Sequence, residues 1–302
     1  MPRRAPALSG AVCFFALAAF GGEPSAKVLG NIRVDSNLVL IPVGVTDTRN
    51  RAVTGLRRED FRVYEGKAEQ TLAQFAREDA PLSAGIVFDS SGSMTNKLAR
   101  SREAVRRFLA VANPEDEFFL VNFNSTAKLA VPFTADAGEI ERHLYSAQSH
   151  GRTALLDAVC LAMDYMKRAG NPRKALLVIS DGGDNDSRYT EADIRRRVIE
   201  SDLWIYAIGI YDTRSIMLPE GDHGERIMQT LAEESGARHY AVHDTAELPQ
   251  IAANIGLELR NQYVIGYRPA ITAPGKYHRV QVKVADHRDY RVTSRPGYFE
   301  PE

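Results

Sequence analysis

The chain has 302 residues, with 38 Lys and Arg against 39 Asp and Glu, for a formal net charge of −1. That balance excludes a polycationic nucleic-acid binder that works by neutralising phosphates and an acidic disordered tail. Hydrophobic residues make up 44% and charged residues 25%, an ordinary globular composition. The two cysteines, Cys13 and Cys160, can build neither a disulfide framework nor a cysteine-based zinc site.

Residues 1–22 read as an export signal. Arg3 and Arg4 form a basic start, and residues 7–20 follow without a charge. That run is too short to cross a bilayer, which takes about 20 helical residues. It has the length of a signal-peptide core. Small residues at Ala16, Ala18, Ala19 and Gly21 allow cleavage at more than one bond. Val12 directly before Cys13 argues against lipid attachment. An exported chain is expected, its one remaining thiol, Cys160, buried in the core.

Residues 28–80 are β-rich. Residues 37–46 form a β-branched run, and residues 47–51 break it with turn chemistry. Phe61, Arg62, Val63 and Tyr64 alternate, and a further short strand is expected at 71–75. Pro81 marks a boundary. From 82 to 260 strands and helices alternate. Residues 83–88, 117–123, 175–180 and 203–210 are nearly continuous apolar runs, as expected of strands buried on both faces of a parallel sheet. Helical spacing appears at 97–112, at 153–169 and at 244–259, with Arg106, Arg107, Arg195, Arg196 and Arg197 in outward positions. This order predicts an α/β domain with a doubly wound, mostly parallel sheet. Residues 261–302 return to strands at 262–267, 278–285 and 290–292. Neither flank has strands enough for a sandwich of its own. The expected arrangement is one β-sandwich built from both flanks, with the α/β domain inserted between them.

The chemistry gathers where three apolar runs end. Asp89, Ser91 and Ser93 form an Asp-x-Ser-x-Ser after the first, Thr153 precedes a helix, and Asp181 follows the run at 175–180. In a doubly wound sheet, ligands collect outside the carboxyl ends of the strands, so these loops can meet. Three hydroxyls and two carboxylates, with no His or Cys, suit a hard cation such as Mg²⁺, or Mn²⁺.

This set resembles the metal-ion-dependent adhesion site of von Willebrand factor type A domains, matching it in order at all five positions. The resemblance covers residues 82–260. The β-rich flanks are similar to those of the "VWFA-related" subgroup of Acidobacteria. The resemblance implies that Ser91 and Ser93 ligate the ion directly, Thr153 directly or through water, and Asp89 and Asp181 mainly through water. Neutral direct ligands leave the ion electron-poor, so an Asp or Glu of a protein partner can complete its shell. The expected docking surface is framed by Ser90, Met94, Asn124, Arg152 and Asp184. The expected function is an exported, divalent-cation-dependent protein-binding or adhesion module, not an enzyme, in the periplasm or outside a bacterial cell.

Two other readings compete with it. One is a Mg²⁺-dependent phosphohydrolase using Asp89, against which stands the hydroxyl of Ser91 where a second catalytic acid is normal. The other is a structural envelope protein whose metal only stabilises the fold. Phosphate-loop, dinucleotide and serine-hydrolase motifs do not occur in the sequence. Asp184 and Asp186 are candidates for a second cation site, although a solvated loop is the simpler expectation. His239 and His243 lack a third ligand at zinc spacing.

Overall fold

The computed structural model describes residues 38–78, 80–211, 219–269, 275–285, 287 and 289–300. The expected export signal, Cys13 included, lies outside the described residues.

The central sheet has six strands: β5 (Leu82–Asp89), β6 (Glu117–Phe123), β7 (Ala127–Thr134), β8 (Arg173–Ser180), β9 (Trp204–Ile210) and β10 (His239–Val242). Their order is β10-β9-β8-β5-β6-β7. All neighbours run parallel except the edge pair β6–β7. Every residue of β5 and of β9 is buried, which is why these runs are apolar without alternation. Successive residues still point to opposite faces. Ala84, Ile86 and Phe88 join one core with α1 (Leu98–Leu109), α2 (Ala137–Ser146) and α6 (Leu248–Arg260). Val87 joins the other, with α3 (Leu155–Met166), α4 (Glu191–Glu200) and α5 (Pro219–Ser235). Cys160 sits in that second core, 1% exposed, as expected. The result is the doubly wound, three-layer domain that the apolar runs predict.

Several local features differ from the sequence expectation. The helix expected from 153 starts at Leu155, because Ala154 before it is held in non-helical backbone. Ala154 N–H donates to the Asn124 carbonyl at 2.8 Å, and its ψ of 62° is not helical. The edge strand β7 and the helices α2 and α5 were not expected. Val131 is the one buried residue of β7, and Ile140 and Leu144 are the buried residues of α2. Such thin apolar stripes are weak periodic signals. Asp136 caps α2 by accepting from Gly138 N–H at 2.9 Å.

The flanks interleave. β1 (Val39–Thr46) and β4 (Leu72–Glu78) come from the N-terminal side; β11 (Gln262–Tyr267) and β13 (Arg291–Ser294) come from the C-terminal side. They form one sheet in the order β13-β1-β11-β4. The second sheet is β14 (Gly297–Phe299), β12 (Tyr277–Val284), β2 (Phe61–Glu65) and β3 (Ala68–Gln70), in that order. The two sheets share a core of Ile41, Val43, Val45, Phe61, Val63, Tyr263, Ile265, Tyr267, Val280 and Val282. Phe61, Phe75 and Tyr263 meet there with ring centroids 5.1 to 5.8 Å apart. Both flanks therefore build one β-sandwich, as expected. It abuts the amino ends of the parallel strands: Leu40, Pro42 and Val264 line one cavity with Arg173 and Trp204. The carboxyl ends face the other way.

Candidate metal centre

From β5 the chain proceeds to β6 on one side; from β8 it proceeds to β9 on the other. The gap beyond the carboxyl ends of β5 and β8 is thus the topological switch point, where doubly wound sheets bind ligands. Asp89 ends β5 and Ser180 ends β8. The chain geometry alone brings the first Asp, the two serines and the second Asp to one place.

Asp89 is fully buried. One carboxylate oxygen accepts from Ser91 N–H at 2.7 Å, the other from Ser180 Oγ at 2.5 Å. Ser91 Oγ and Ser93 Oγ are 3.1 Å apart. Ser91 is buried and Ser93 exposed, so the pair leads from the interior to the surface. Thr153 joins through backbone bonds between loops. Gly92 N–H donates to the Gly151 carbonyl at 3.0 Å, and His150 N–H to the Ser90 carbonyl at 3.0 Å. A side chain placed on Gly183 would meet Asp181 Oδ1 at 3.8 Å and Thr153 Oγ1 at 3.9 Å, so these two groups flank the same spot. The structure brings all five expected residues together.

The electrostatics fit a cation. Burial raises the Asp89 carboxyl to about 6; the nearby Asp181 charge adds to the rise, and the Ser180 and Ser91 hydrogen bonds oppose it. A buried carboxylate with a second carboxylate nearby is stabilised in its charged form by a positive ion beside it. Among the described residues no group of three His, Cys, Asp or Glu is placed to hold a metal. An ion at this centre would therefore rely on the Ser and Thr hydroxyls, oxygen donors suited to Mg²⁺ or Mn²⁺.

Two functional residues were not expected. Ser180 fixes the buried Asp89 from the neighbouring strand. Lys97 Nζ donates to Asp181 Oδ2 at 3.0 Å, in a pair whose side chains are 14% and 11% exposed. The Ser before Asp181 and the Lys just ahead of α1 were visible as letters, but their partners depend on β5 and β8 being neighbours.

The expected docking surface needs correction. Ser90 and Met94 are fully buried. The Ser90 hydroxyl donates to the Phe123 carbonyl at 3.0 Å, and Met94 packs in the core with Leu98. They cannot frame a surface. Exposed residues around the centre include Gly92, Ser93, Thr95, His150, Gly151, Arg152 and Asn185. Asn124 and Asp184 are half-buried. Asp184 accepts from Leu155 N–H at 2.9 Å, Leu156 N–H at 3.3 Å and Ser187 Oγ at 2.6 Å, so it closes the amino end of α3. Asp186 lies 3.6 Å from Arg152. The two acids thus lie in the loop between β8 and α4, each with its own structural partners. His239 Nε2 meets Tyr211 Oη at 3.1 Å, and His243 Nδ1 the Tyr211 carbonyl at 3.4 Å.

Residues 85–183, the stretch that contains all five positions, match the family model of the von Willebrand factor type A domain. The chain carries a von Willebrand factor type A domain. Inter-alpha-trypsin inhibitor heavy chain H4 of Sus scrofa is 27% identical over 163 residues, 50% of this chain and 17% of that protein. An uncharacterized protein of Borreliella burgdorferi is 25% identical over 190 residues, 54% of this chain and 55% of that protein. The chain thus spans well under two thirds of these curated relatives. Among solved structures, a von Willebrand factor type A protein from Catenulispora acidiphila aligns with a TM-score of 0.52 at 13% identity, covering 88% of this chain and 74% of that one. The pilus adhesin SpaC of Lactobacillus rhamnosus GG, in an open conformation, aligns with a TM-score of 0.50 at 10% identity, covering 82% and 49%. These likenesses extend past the type A domain into the sandwich and concern the fold.

Proposed function

We propose that the protein is an exported protein-binding module that takes Mg²⁺ or Mn²⁺ at Asp89, Ser91, Ser93, Thr153 and Asp181 and captures a partner's Asp or Glu through it. The observation that carries this reading is the meeting of three hydroxyls and two carboxylates at the switch point of a type A domain. Bound there, a divalent ion would supply a positive centre for an incoming carboxylate. The chain's own part is to hold that centre. Asp89 is locked by Ser91 and Ser180, Ser93 faces solvent, and Gly92, Thr95 and Arg152 border the approach. Sharing its fold with a pilus adhesin, SpaC, is in keeping with such a role. Export rests on the basic, then uncharged, start of the sequence. Among the described residues no helix is long and apolar enough to cross a membrane.

The phosphohydrolase reading meets an obstacle at Asp89. A nucleophile needs access, and this carboxylate is fully buried with both oxygens accepting hydrogen bonds.

Titration calorimetry tests the proposal. The wild type should bind Mg²⁺, and Asp181→Ala and Ser93→Ala should weaken binding about 10- to 100-fold, the usual cost of losing a group that orients or supplies a metal ligand. Ser93 is the better hydroxyl to remove, because Ser91 is buried and its loss also touches folding. Equal binding by both variants and the wild type would overturn the assignment. Partner capture that persists in EDTA would overturn the metal's part in recognition.

A further inference from the structure

Lys97 stands where helix physics disfavours it. It is the residue before α1, and its side chain makes no capping hydrogen bond. The amino end of a helix carries partial positive charge and favours anions. Side chains that cap well, Thr95 and Asn96, lie just before it in the sequence. The backbone of Lys97 is nevertheless held firmly: its N–H donates to the Met94 carbonyl at 2.8 Å, and Ser101 N–H and Oγ both donate to its carbonyl at 3.0 Å. From that anchor the ammonium reaches Asp181 Oδ2 at 3.0 Å with 14% of its side chain exposed.

We propose that Lys97 is the built-in counter-cation of the metal centre: its ammonium holds Asp181 when no divalent ion is bound and competes with a divalent ion for that carboxylate. The proposal rests on the metal-centre reading and adds the control of loading to it. Without an ion, Lys97 offsets the charge that Asp181 presses on buried Asp89. With an ion held by Asp181, the ammonium would be a neighbouring like charge and would have to yield its place at that carboxylate. Lys97 thus steadies Asp181 and lowers the affinity of the site for a divalent ion.

Lys97→Met keeps the apolar stem and removes the charge; Lys97→Arg keeps the charge. Each is titrated with MgCl₂ by calorimetry and melted in EDTA and in saturating Mg²⁺. Lys97→Met should bind Mg²⁺ on the order of tenfold more tightly, the effect expected of one like charge at a few ångströms. It should melt below the wild type in EDTA, with the gap closing in saturating Mg²⁺. Lys97→Arg should stay near the wild type in both readouts. Lys97→Gln serves the same purpose should the Met variant not fold. If the wild type binds Mg²⁺ and the neutral variants bind it equally or more weakly, Lys97 is not a competitor, and the proposal falls while the metal reading stands. If neither wild type nor variants bind Mg²⁺ or Mn²⁺, the metal reading falls and takes this one with it.

Discussion

At Gly182 the backbone turns with φ +83°, and a Cβ there would lie 2.8 Å from the Gly224 carbonyl carbon. A Cβ on Gly224 would lie 2.3 Å from the Gly182 carbonyl oxygen. The loop that carries Asp181 and helix α5 thus touch backbone to backbone. Replacing a helical Gly by Ala ordinarily stabilises by up to about 1 kcal/mol. Here the sign should reverse: Gly224→Ala should destabilise by roughly 1–3 kcal/mol, the range for forcing extra atoms into packed space. Urea denaturation checks this, and calorimetry should show weaker Mg²⁺ binding because Asp181 moves with Gly182. A stable variant with unchanged affinity would show that the contact is slack. That Asp89, Ser91, Ser93, Thr153 and Asp181 would meet was legible because each is a polar letter at the end of an apolar run or at the start of a helix. Lys97, Ser180 and the Gly182–Gly224 contact were not. Their partners lie more than forty residues away in sequence and become visible only once neighbouring elements are placed. The burial of Ser90 and Met94 escaped for a similar reason, since a loop position reads as exposed until a helix covers it.

Among the elements, α6 does the most joining. Leu248, Ala252, Ile255 and Leu259 face the parallel sheet, while Glu258, 1% exposed, turns toward the sandwich. A Cβ added at Gly44 of β1 would stand 2.8 Å from Glu258 Oε1. Arg238 approaches the same carboxylate at 3.7 Å. It also donates to Thr46 Oγ1 at 2.9 Å and to Asn50 Oδ1 at 2.6 Å, and lies over the Tyr240 ring. Burial raises the Glu258 carboxyl above its ordinary value of 4.5, while Arg238, then the Thr293 and Tyr206 hydroxyls, pull it down. The native state therefore holds this proton more tightly than the unfolded chain. That contribution favours folding below about pH 4.5 and is lost as pH rises through the raised native value. Glu258→Gln cannot titrate. The melting temperature of the wild type, measured against Glu258→Gln in EDTA, should fall as pH rises from 4.5 to 8; a constant difference would show that Glu258 titrates alike in both states. The apolar runs that became β5, β6, β8 and β9 were readable, since strands buried on both faces leave no polar letters between them. The edge strand β7 and helix α2, half open to water, left too few.

For the molecule as a whole, the sandwich depends on strands that lie far apart in the chain. In one sheet β1 is held between β13 and β11, and β4 pairs with β11. In the other, β12 lies between β14 and β2, and β3 pairs only with β2 among the described strands. The strand count already required cooperation between the flanks, but the alternation of their strands in each sheet could not be read from either flank alone. This arrangement has a consequence for truncation. Removing residues 261–302 takes away β11, β12, β13 and β14 together. β1 and β4 then lose their shared neighbour, and β2–β3 remains a lone hairpin, which is marginal in water. The core that joined Ile41 and Val43 to Tyr263 and Ile265 is opened at the same time. The sheet of the type A domain loses no strand, and both of its faces keep their helices. Limited proteolysis of the truncated protein should therefore cut within residues 39–78 at protease levels that leave the full chain whole, while a fragment covering residues 82–260 survives. Protection of residues 39–78 after the truncation would show that the N-terminal strands hold their own core. Loss of the 82–260 fragment would show instead that the type A domain leans on the sandwich, through Glu258 and Arg238, for its stability.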